Sequence, residues 1–355
     1  MSTKQYIFTP GPVPMSKELL DIGAKQMPYF RNESFSKVIL QCRKLLKKLS
    51  NAPKGSEVIF LTSSGTGAME ATVKNLLDIT NKPIIINGGN FGQRFVDICD
   101  INQIKNYSVK IAKNEKINFK KLSKLDADSF IINAHETTIG RLYNLKRSGE
   151  FCKKNNLLHI VDAISAFVCD EIDMKKQNID ALILSSNKGL ALPPGLGMVI
   201  LSPKALKYLK DTQEIYFNFK DYISNIKRGQ TPFTPTISII LQLHYRLKEL
   251  NNISKKQRYK SIKSLAAYFR DAIKKLPLKA YVKEMPNGMT ALTPTDGKKA
   301  YKIVEDFEKK YKIILTPSGG DLKDKLIRIS HMGTMDKNYM DVLIKHLFKY
   351  YGIKK

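Results

Sequence analysis

Residues 181–201 read ALILSSNKGLALPPGLGMVIL, an apolar run, then a polar turn rich in glycine and proline, then a second apolar run. Both runs predict buried strands, because short apolar segments bounded by turn residues are typical of a sheet core. Lys188 falls between them, among serine, asparagine and glycine. Burial makes a lysine costly to ionise, so its pKa falls and its amine becomes nucleophilic. Lys188 is therefore either a candidate Schiff-base lysine or a lysine that reaches solvent from a strand end.

Five apolar runs alternate with helical patterns, and each run ends in polar or hydroxyl residues. They lie at 58–61, 84–86, 130–133, 157–161 and 181–184. This alternation predicts an α/β fold with a mostly parallel central sheet flanked by helices. Functional sites of such sheets lie beyond the carboxyl ends of the strands. Six candidate side chains follow those ends: Ser64, Thr66, Phe91, Thr138, Asp162 and Lys188.

The turn SSGTG, residues 63–67, joins the first of these strands to a helix predicted over 68–77. Free backbone N–H groups, hydroxyls and the helix dipole favour an anion at such a turn, so the turn predicts a phosphate site. The lysine that ends nucleotide-binding loops is missing, so ATP or GTP is not indicated. An ordinary turn capped by serine or threonine is the alternative.

Changes in pattern along the chain predict three segments. Residues 1–15 form an extended N-terminal arm broken by the sequence PGP, residues 16–250 a large domain, and residues 251–355 a smaller α+β C-terminal domain. Arg328 alternates with two isoleucines on one strand of the small domain, so its side chain points to the opposite face. It either forms a salt bridge at the edge of the sheet or binds a carboxylate through two N–H groups of its guanidinium.

The composition is that of a globular protein with a large core. The chain has 355 residues, of which 43% are hydrophobic and 26% charged. We find neither a signal-peptide pattern nor an apolar run long enough to span a membrane, and we expect no membrane partner. None of the four cysteines has CxxC or CxxH spacing, so we expect no metal site and reduced thiols in a cytoplasmic protein.

The formal net charge is +28, from 60 basic and 32 acidic residues. Such a charge is compatible with nucleic acid, an anionic membrane or anionic substrates. The basic residues are spread over the whole length, without a basic block interleaved with aromatic residues. We therefore favour a solvated, lysine-rich surface over a nucleic-acid site.

The motifs of this chain, taken in order, resemble those of the class V aminotransferases, which are pyridoxal-phosphate enzymes of fold type I. The motifs are TPGP, SSGTGAMEA, NFGQR, HETTIG, VDAISA, SSNKGLALPPGLG, TPFTP and RISHMG. Within this class the chain is most similar to the alanine–glyoxylate, serine–glyoxylate and serine–pyruvate aminotransferases. The segment HETT and the asparagine before the lysine resemble 2-aminoethylphosphonate–pyruvate aminotransferases instead.

The resemblance implies roles around the cofactor, pyridoxal 5'-phosphate. Lys188 would form the Schiff base and move the substrate proton, and Asp162 would pair with the ring nitrogen. Phe91 would stack on the ring, and Thr138 would lie beside the ring hydroxyl. The cofactor phosphate would be held by Ser64, Gly65, Thr66 and Asn187.

The resemblance also implies a homodimer with shared active sites and a pocket for small substrates. Thr234 would reach the phosphate bound by the neighbouring subunit. Arg328 would bind the substrate carboxylate, and the arm around Gly11 would line the substrate pocket. Arg141 stands where relatives usually have an apolar residue, which would put a cation near the site. Arg31 lies in an altered context and is not assigned as a ligand.

Four alternatives stand beside a ping-pong aminotransferase acting on glyoxylate or pyruvate. A cysteine desulfurase is rejected, because all four cysteines precede Lys188 and no histidine precedes it directly. A protein that kept the fold and lost the chemistry is disfavoured, since Lys188, Asp162 and Arg328 are all present. A nucleic-acid-binding protein would show steeply salt-dependent affinity. Transamination of 2-aminoethylphosphonate stays open, because Arg141 and the net charge suit a phosphonate dianion.

Overall fold

The structure is a computed structural model that describes residues 5–354; residues 1–4 of the predicted arm and Lys355 lie outside the described residues. The strands of the described part are β1 (Tyr6–Ile7), β2 (Glu57–Leu61), β3 (Pro83–Asn87), β4 (Tyr107–Lys110), β5 (Ser129–Asn133), β6 (His135–Glu136), β7 (Arg141–Leu142), β8 (Leu158–Asp162), β9 (Ala181–Ser185), β10 (Gly197–Leu201), β11 (Leu278–Ala280), β12 (Met289–Pro294), β13 (Ile313–Ile314), β14 (Thr316–Pro317) and β15 (Ile327–Ser330). The helices are α1 (Lys17–Gly23), α2 (Glu33–Leu49), α3 (Gly65–Leu76), α4 (Asn90–Ile101), α5 (Phe119–Leu122), α6 (Leu145–Lys154), α7 (Pro203–Lys207), α8 (Phe219–Ile226), α9 (Ile237–Asn252), α10 (Lys255–Ala272), α11 (Ala300–Tyr311) and α12 (Lys337–Tyr351).

The central sheet has seven strands in the order β2-β10-β9-β8-β5-β3-β4. The pairs β3–β4, β3–β5, β5–β8 and β8–β9 are parallel, which confirms the predicted mostly parallel sheet. Strand β10 is the exception, because it runs antiparallel to both β9 and β2. The turn between β9 and β10 is too short for the crossover that a parallel pair needs, so the chain reverses direction there.

Both faces of the central sheet are covered, which explains the continuous apolar runs in the sequence. Along β2, Val58 and Phe60 pack into one apolar cluster, and Ile59 and Leu61 pack into the cluster on the other side. Helices α2 and α9 supply the first cluster, and helices α3, α4 and α8 supply the second. A strand that is buried on both faces loses the alternation of polar and apolar residues.

A third apolar cluster lies in the C-terminal part, where β11, β12, β15 and β14 form an antiparallel sheet. This cluster spans residues 265–348 and also includes Phe8 of the N-terminal arm. The arm joins it through parallel pairing of β1 with β13, and the Ser330 N–H donates to the Phe8 carbonyl at 2.8 Å. The domain boundary after residue 250 stays a prediction.

No helix within residues 5–354 has both the length and the apolar character required to cross a bilayer.

Candidate active site

The carboxyl ends of β5, β8 and β9 meet at one edge of the central sheet, because Asn133 pairs with Asp162 and Asp162 with Ile183 in the ladder. A cavity of about 170 Å³ opens at this edge. Seven residues singled out in the sequence line it: Ser64, Gly65, Thr66, Phe91, Asp162, Asn187 and Lys188. Eight further residues line it, among them Arg94, Thr137 and Ser165, to which the sequence motifs assign no role.

Lys188 lies three residues after β9, and its side chain points into the cavity instead of into open solvent. Its pKa is lowered to about 8, chiefly by burial and secondly by the charge of Arg328, against an opposing effect of Asp162. Gly11 of the N-terminal arm lies directly against it: a Cβ at Gly11 would be 2.7–2.9 Å from the Cδ, Nζ and Cε atoms of Lys188. The amine is thus enclosed by the arm on one side and by the sheet edge on the other.

Asp162 is the last residue of β8 and is held in one orientation by two hydrogen bonds. The Ile164 N–H donates to Oδ1 at 2.8 Å, and Asn133 Nδ2 donates to Oδ2 at 2.6 Å. Burial raises the pKa of Asp162 to about 6, although both hydrogen bonds favour the ionised form. The result is a fixed carboxylate that can pair with a cationic N–H group in the cavity.

The SSGTG turn ends three residues earlier than the sequence predicted, since helix α3 begins at Gly65 and not at residue 68. Ser64 is the N-cap, and its Oγ accepts a hydrogen bond from the Gly67 N–H at 3.3 Å. The N-cap serine stabilises the start of the helix, which offsets the low helix propensity of the two glycines in the first turn. The first N–H groups of a helix have no backbone acceptor within the helix, and since Ser64 takes up the N–H of Gly67, the N–H groups of Gly65 and Thr66 are available to an anion in the cavity.

Phe91 lies at the start of helix α4 and shares one helix face with Arg94. The guanidinium carbon of Arg94 is 4.8 Å from the centroid of the Phe91 ring. Arg94 Nη1 also donates to Thr66 Oγ1 at 2.8 Å, which connects α4 to the first turn of α3. In the sequence, the signal for Arg94 is its position three residues after Phe91 in NFGQR, which puts both side chains on one face of a helix.

In the HETT segment, Thr137 lines the cavity and the predicted Thr138 does not. Thr137 Oγ1 donates to Ser165 Oγ at 2.9 Å, whereas Thr138 Oγ1 accepts the Asn90 N–H at 3.0 Å. Buried Glu136 accepts the Gly92 N–H at 3.0 Å. Thr138 and Glu136 therefore cap helix α4 and fix the start of the helix that carries Phe91.

Arg328 lies on β15 near the cavity without lining it. Its Nε and Nη2 donate to the Pro317 carbonyl at 3.2 and 2.9 Å, and its Nη1 donates to the Thr137 carbonyl at 3.3 Å. Burial lowers the pKa of Arg328 to about 10, and buried Glu136 opposes this effect. The positive charge of Arg328 lowers the pKa of Lys188.

Thr234 and Arg31 belong to a loop region outside the cavity of this chain. Thr234 is exposed in the loop between α8 and α9. Arg31 Nη1 donates to the Thr231 carbonyl at 2.9 Å, and Arg31 Nη2 donates to the Pro232 carbonyl at 3.1 Å. Arg31 therefore holds the loop that presents Thr234.

Arg141 does not supply a cation to the cavity, contrary to the expectation from its place in HETTIGR. It is buried, and its guanidinium donates to the Ala112 carbonyl at 2.8 Å and to the Glu115 carbonyl. It also packs over the Tyr143 ring, with 4.8 Å from the guanidinium carbon to the ring centroid. Its charge stabilises the loop after β4.

The cysteines do not belong to the site. Cys42, Cys99, Cys152 and Cys169 are free and buried, and burial raises the pKa of each thiol. Within the part of the chain that the structure describes, no group of three or more His, Cys, Asp or Glu residues is arranged to hold a metal ion.

Comparisons with known proteins identify the family. The family model described as aminotransferase class-V matches residues 23–319. An uncharacterized aminotransferase of Helicobacter pylori strain J99 is 30% identical over 92% of this chain and 88% of its own length. A serine–glyoxylate aminotransferase of Hyphomicrobium methylovorum is 25% identical, covering 95% and 87%. A bifunctional phosphonoacetaldehyde hydrolase/aminoethylphosphonate transaminase of Clostridioides difficile is 26% identical over 97% of this chain and 56% of its own length.

The fold is also that of solved aminotransferases. The crystal structure of a subgroup IV aspartate aminotransferase from Thermus thermophilus superimposes with a TM-score of 0.91 at 26% identity, covering 98% of this chain and 99% of that one. The resemblance drawn from the motifs and the predicted fold type are both confirmed. This chain belongs to the class V aminotransferases, and that membership implies pyridoxal 5'-phosphate as its cofactor.

Proposed function

We propose that this aminotransferase moves an amino group from a small donor of the alanine or serine type to a 2-oxo acid such as glyoxylate or pyruvate, by a ping-pong mechanism. The observation that carries the proposal is the enclosed Lys188, whose pKa is about 8, in a cavity of about 170 Å³ shared with Asp162. The serine–glyoxylate aminotransferase among the relatives supports the same substrate class.

The residues of the cavity fit pyridoxal 5'-phosphate. The first turn of α3, with Ser64, Gly65 and Thr66, offers N–H groups and hydroxyls to a phosphate. Phe91 offers an aromatic face, and Asp162 offers a fixed carboxylate to a protonated ring nitrogen. When bound, the cofactor supplies an electron sink for the carbanion that transamination requires.

Lys188 would act both as nucleophile and as proton carrier. With a pKa of about 8, about a tenth of the amine is neutral at pH 7, far more than for an ordinary lysine. A neutral amine can attack a carbonyl carbon and can accept or return a proton at the substrate α-carbon. The arm at Gly11 excludes water from one side of the amine.

Arg328 is the proposed ligand of the substrate carboxylate. Its guanidinium has five N–H donors, and the hydrogen bonds to Pro317 and Thr137 fix its plane. A planar, fixed guanidinium suits a carboxylate better than a flexible ammonium does. The same arginine lowers the pKa of Lys188, so a bound carboxylate would partly relieve that effect.

We further propose a cytoplasmic homodimer in which Thr234 reaches the phosphate bound by the neighbouring subunit. The exposure of Thr234, with its loop held by Arg31, supports this arrangement. The four free, buried cysteines support a reducing compartment.

We also propose that the chain divides into an N-terminal arm, a large domain and a small domain, with boundaries after residues 15 and 250.

Transfer from 2-aminoethylphosphonate to pyruvate is the second candidate. The aminoethylphosphonate transaminase among the relatives favours it, together with the HETT segment. Arg141 does not support it, since its guanidinium lies against the loop at residues 112–115 and not on the cavity.

The absorption spectrum of the protein loaded with pyridoxal 5'-phosphate tests the proposal. Alanine, serine, aspartate or 2-aminoethylphosphonate is added alone, and then glyoxylate or pyruvate. We expect the visible band of the lysine-bound cofactor to disappear with the correct donor and return with the correct acceptor, because each half-reaction of a ping-pong enzyme proceeds by itself.

Two lysine variants serve this test. Lys188→Ala should form no visible band. Lys204→Ala should match the wild type, because Lys204 bonds to the Leu157 carbonyl outside the cavity. A wild-type protein that takes up no cofactor contradicts the proposed reaction, and a band that changes only with donor and acceptor present together contradicts the ping-pong order.

A further inference from the structure

Arg94 is the cavity-lining cation that neither the motifs nor the proposed reaction assigns. Its guanidinium contacts two separate parts of the site, Thr66 Oγ1 at 2.8 Å and the Phe91 ring at 4.8 Å. Among residues 5–354, no carboxylate forms an ion pair with it. A partly buried arginine whose contacts are a hydroxyl oxygen and an aromatic face does not serve a salt bridge.

The hydrogen bond from Arg94 determines which way the Thr66 hydroxyl can donate. A hydroxyl has one donor and two acceptor positions, and Arg94 uses an acceptor position. The hydroxyl hydrogen of Thr66 therefore remains available, and the guanidinium restricts the rotation of the side chain. Thr66 is the second residue of α3, so the freed hydrogen lies beside the N–H groups that an anion would meet.

The contact with Phe91 fixes the second part of the site. A guanidinium over an aromatic face is attractive, and this one comes from the next turn of the same helix. The Asn90 and Gly92 N–H groups are bound by Thr138 and Glu136, which hold the backbone of this turn. Arg94 adds the restraint on the ring itself.

We infer that Arg94 is a positioning residue for the cofactor, acting through the Thr66 hydroxyl at the phosphate end and through the Phe91 ring at the aromatic end. One guanidinium thereby sets the distance between the phosphate turn on α3 and the stacking ring on α4. The inference rests on the proposed function only in that pyridoxal 5'-phosphate binds in this cavity.

Titration of apoenzyme with pyridoxal 5'-phosphate tests the inference, with the dissociation constant and the circular dichroism of the visible band as readouts. Arg94→Gln should raise the dissociation constant about 10- to 100-fold, the usual effect of losing a hydrogen bond from a charged donor. Its visible circular dichroism should weaken, because the ring over the cofactor is less restrained. The melting temperature of the apoenzyme should stay close to that of the wild type.

Four further variants, one of them a matched control, separate positioning from charge. Arg94→Lys keeps the charge and cannot hold both partners, so its affinity should also fall. Thr66→Val removes the hydroxyl, and adding Arg94→Gln to it should cost much less than Arg94→Gln alone, because residues of one network are not additive. Arg147→Gln is the matched control, since Arg147 packs over Phe119 at 5.9 Å outside the cavity.

Wild-type affinity in Arg94→Gln, full affinity in Arg94→Lys, or fully independent effects of Arg94→Gln and Thr66→Val would each overturn the inference. Should Arg94→Gln fail to fold, Arg94→Lys replaces it, and its effect on cofactor affinity is compared alone and together with Thr66→Val. If the wild type and Arg147→Gln bind no cofactor, the proposed function fails as well. If these two bind it and the Arg94 variants bind equally well, this inference alone fails.

Discussion

The hydrogen bond from Asn133 to Asp162 allows a prediction in which the effect of a substitution depends on pH. Asn133 Nδ2 donates to Asp162 Oδ2 at 2.6 Å, and both residues are buried. Replacing Asn133 with leucine keeps the size of the side chain and removes the donor. Within the part of the chain that the structure describes, the Ile164 N–H at 2.8 Å is then the one donor left to the Asp162 carboxylate.

The magnitude follows from the charge of the acceptor. A hydrogen bond to a charged group contributes about 1.5–3 kcal/mol, and one pKa unit corresponds to about 1.4 kcal/mol. The pKa of Asp162, about 6 in the wild type, should therefore rise by about 1–2 units in Asn133→Leu. An acid whose pKa is raised by folding destabilises the folded state increasingly as the pH rises from the unfolded to the folded pKa, and in full above the folded pKa. The variant should thus lose about 1.5–3 kcal/mol more at pH 9 than at pH 5, where Asp162 is mostly protonated in both folded proteins.

Urea unfolding of the apoenzymes at the two pH values measures this difference directly. Asn75→Leu is the matched control, because Asn75 is buried and, within residues 5–354, its side chain bonds only to the backbone of Ala71, Phe217 and Phe219. Its cost should be the same at pH 5 and pH 9. If Asn133→Leu also lost equal stability at both pH values, the hydrogen bond would not control the ionisation of Asp162.

Two other predictions concern the arm and the buried histidines. Gly11→Ala should destabilise the protein by about 1–3 kcal/mol, because φ is +142° there and the new Cβ would meet the Lys188 side chain. The melting temperature and the rate of cofactor binding test this prediction. Wild-type values for both would contradict the contact between Gly11 and Lys188. Lowering the pH from about 6.5 to about 4 should destabilise the apoenzyme, because burial lowers the pKa of His135 and His331 to about 3 and of His159 to about 4, so the unfolded chain takes up more protons. The raised pKa values of Asp162 and Asp170 have the opposite effect on stability, but two aspartates stand against three histidines. If the free energy of unfolding rose on acidification, the burial of the three histidines would be contradicted.

The sheet and the location of the cavity could be predicted because they depend on local pattern. Apolar runs that end in polar residues mark strand ends, and parallel strands bring those ends to one edge. Asp162 and Lys188 are therefore found from sequence alone, and the structure places both on one cavity. The direction of β10 was open at that stage, because it depends on how the chain turns after Lys188.

Side-chain direction was the part that sequence could not determine. Thr137 and Thr138 are neighbours of the same type, and one hydroxyl faces the cavity while the other caps α4. Arg141 follows the same segment and turns to the loop at residues 112–115. Each outcome depends on hydrogen-bonding partners from distant parts of the chain, and nothing in the local pattern of HETTIGR distinguishes between them.

The lowered pKa of Lys188 is a property of the whole assembly of segments and not of the sheet edge alone. Gly11 covers the amine, and the arm that carries Gly11 is hydrogen-bonded to the C-terminal part, where the Ser330 N–H donates to the Phe8 carbonyl and the Thr334 N–H to the Pro14 carbonyl. Arg328, whose charge lowers the same pKa, lies on β15 of that part. Displacing the C-terminal part would therefore remove the arm and the arginine together, hydrate the amine and return its pKa toward the ordinary value. Contacts of the C-terminal part thus contribute to the lowered pKa of the lysine of the central sheet.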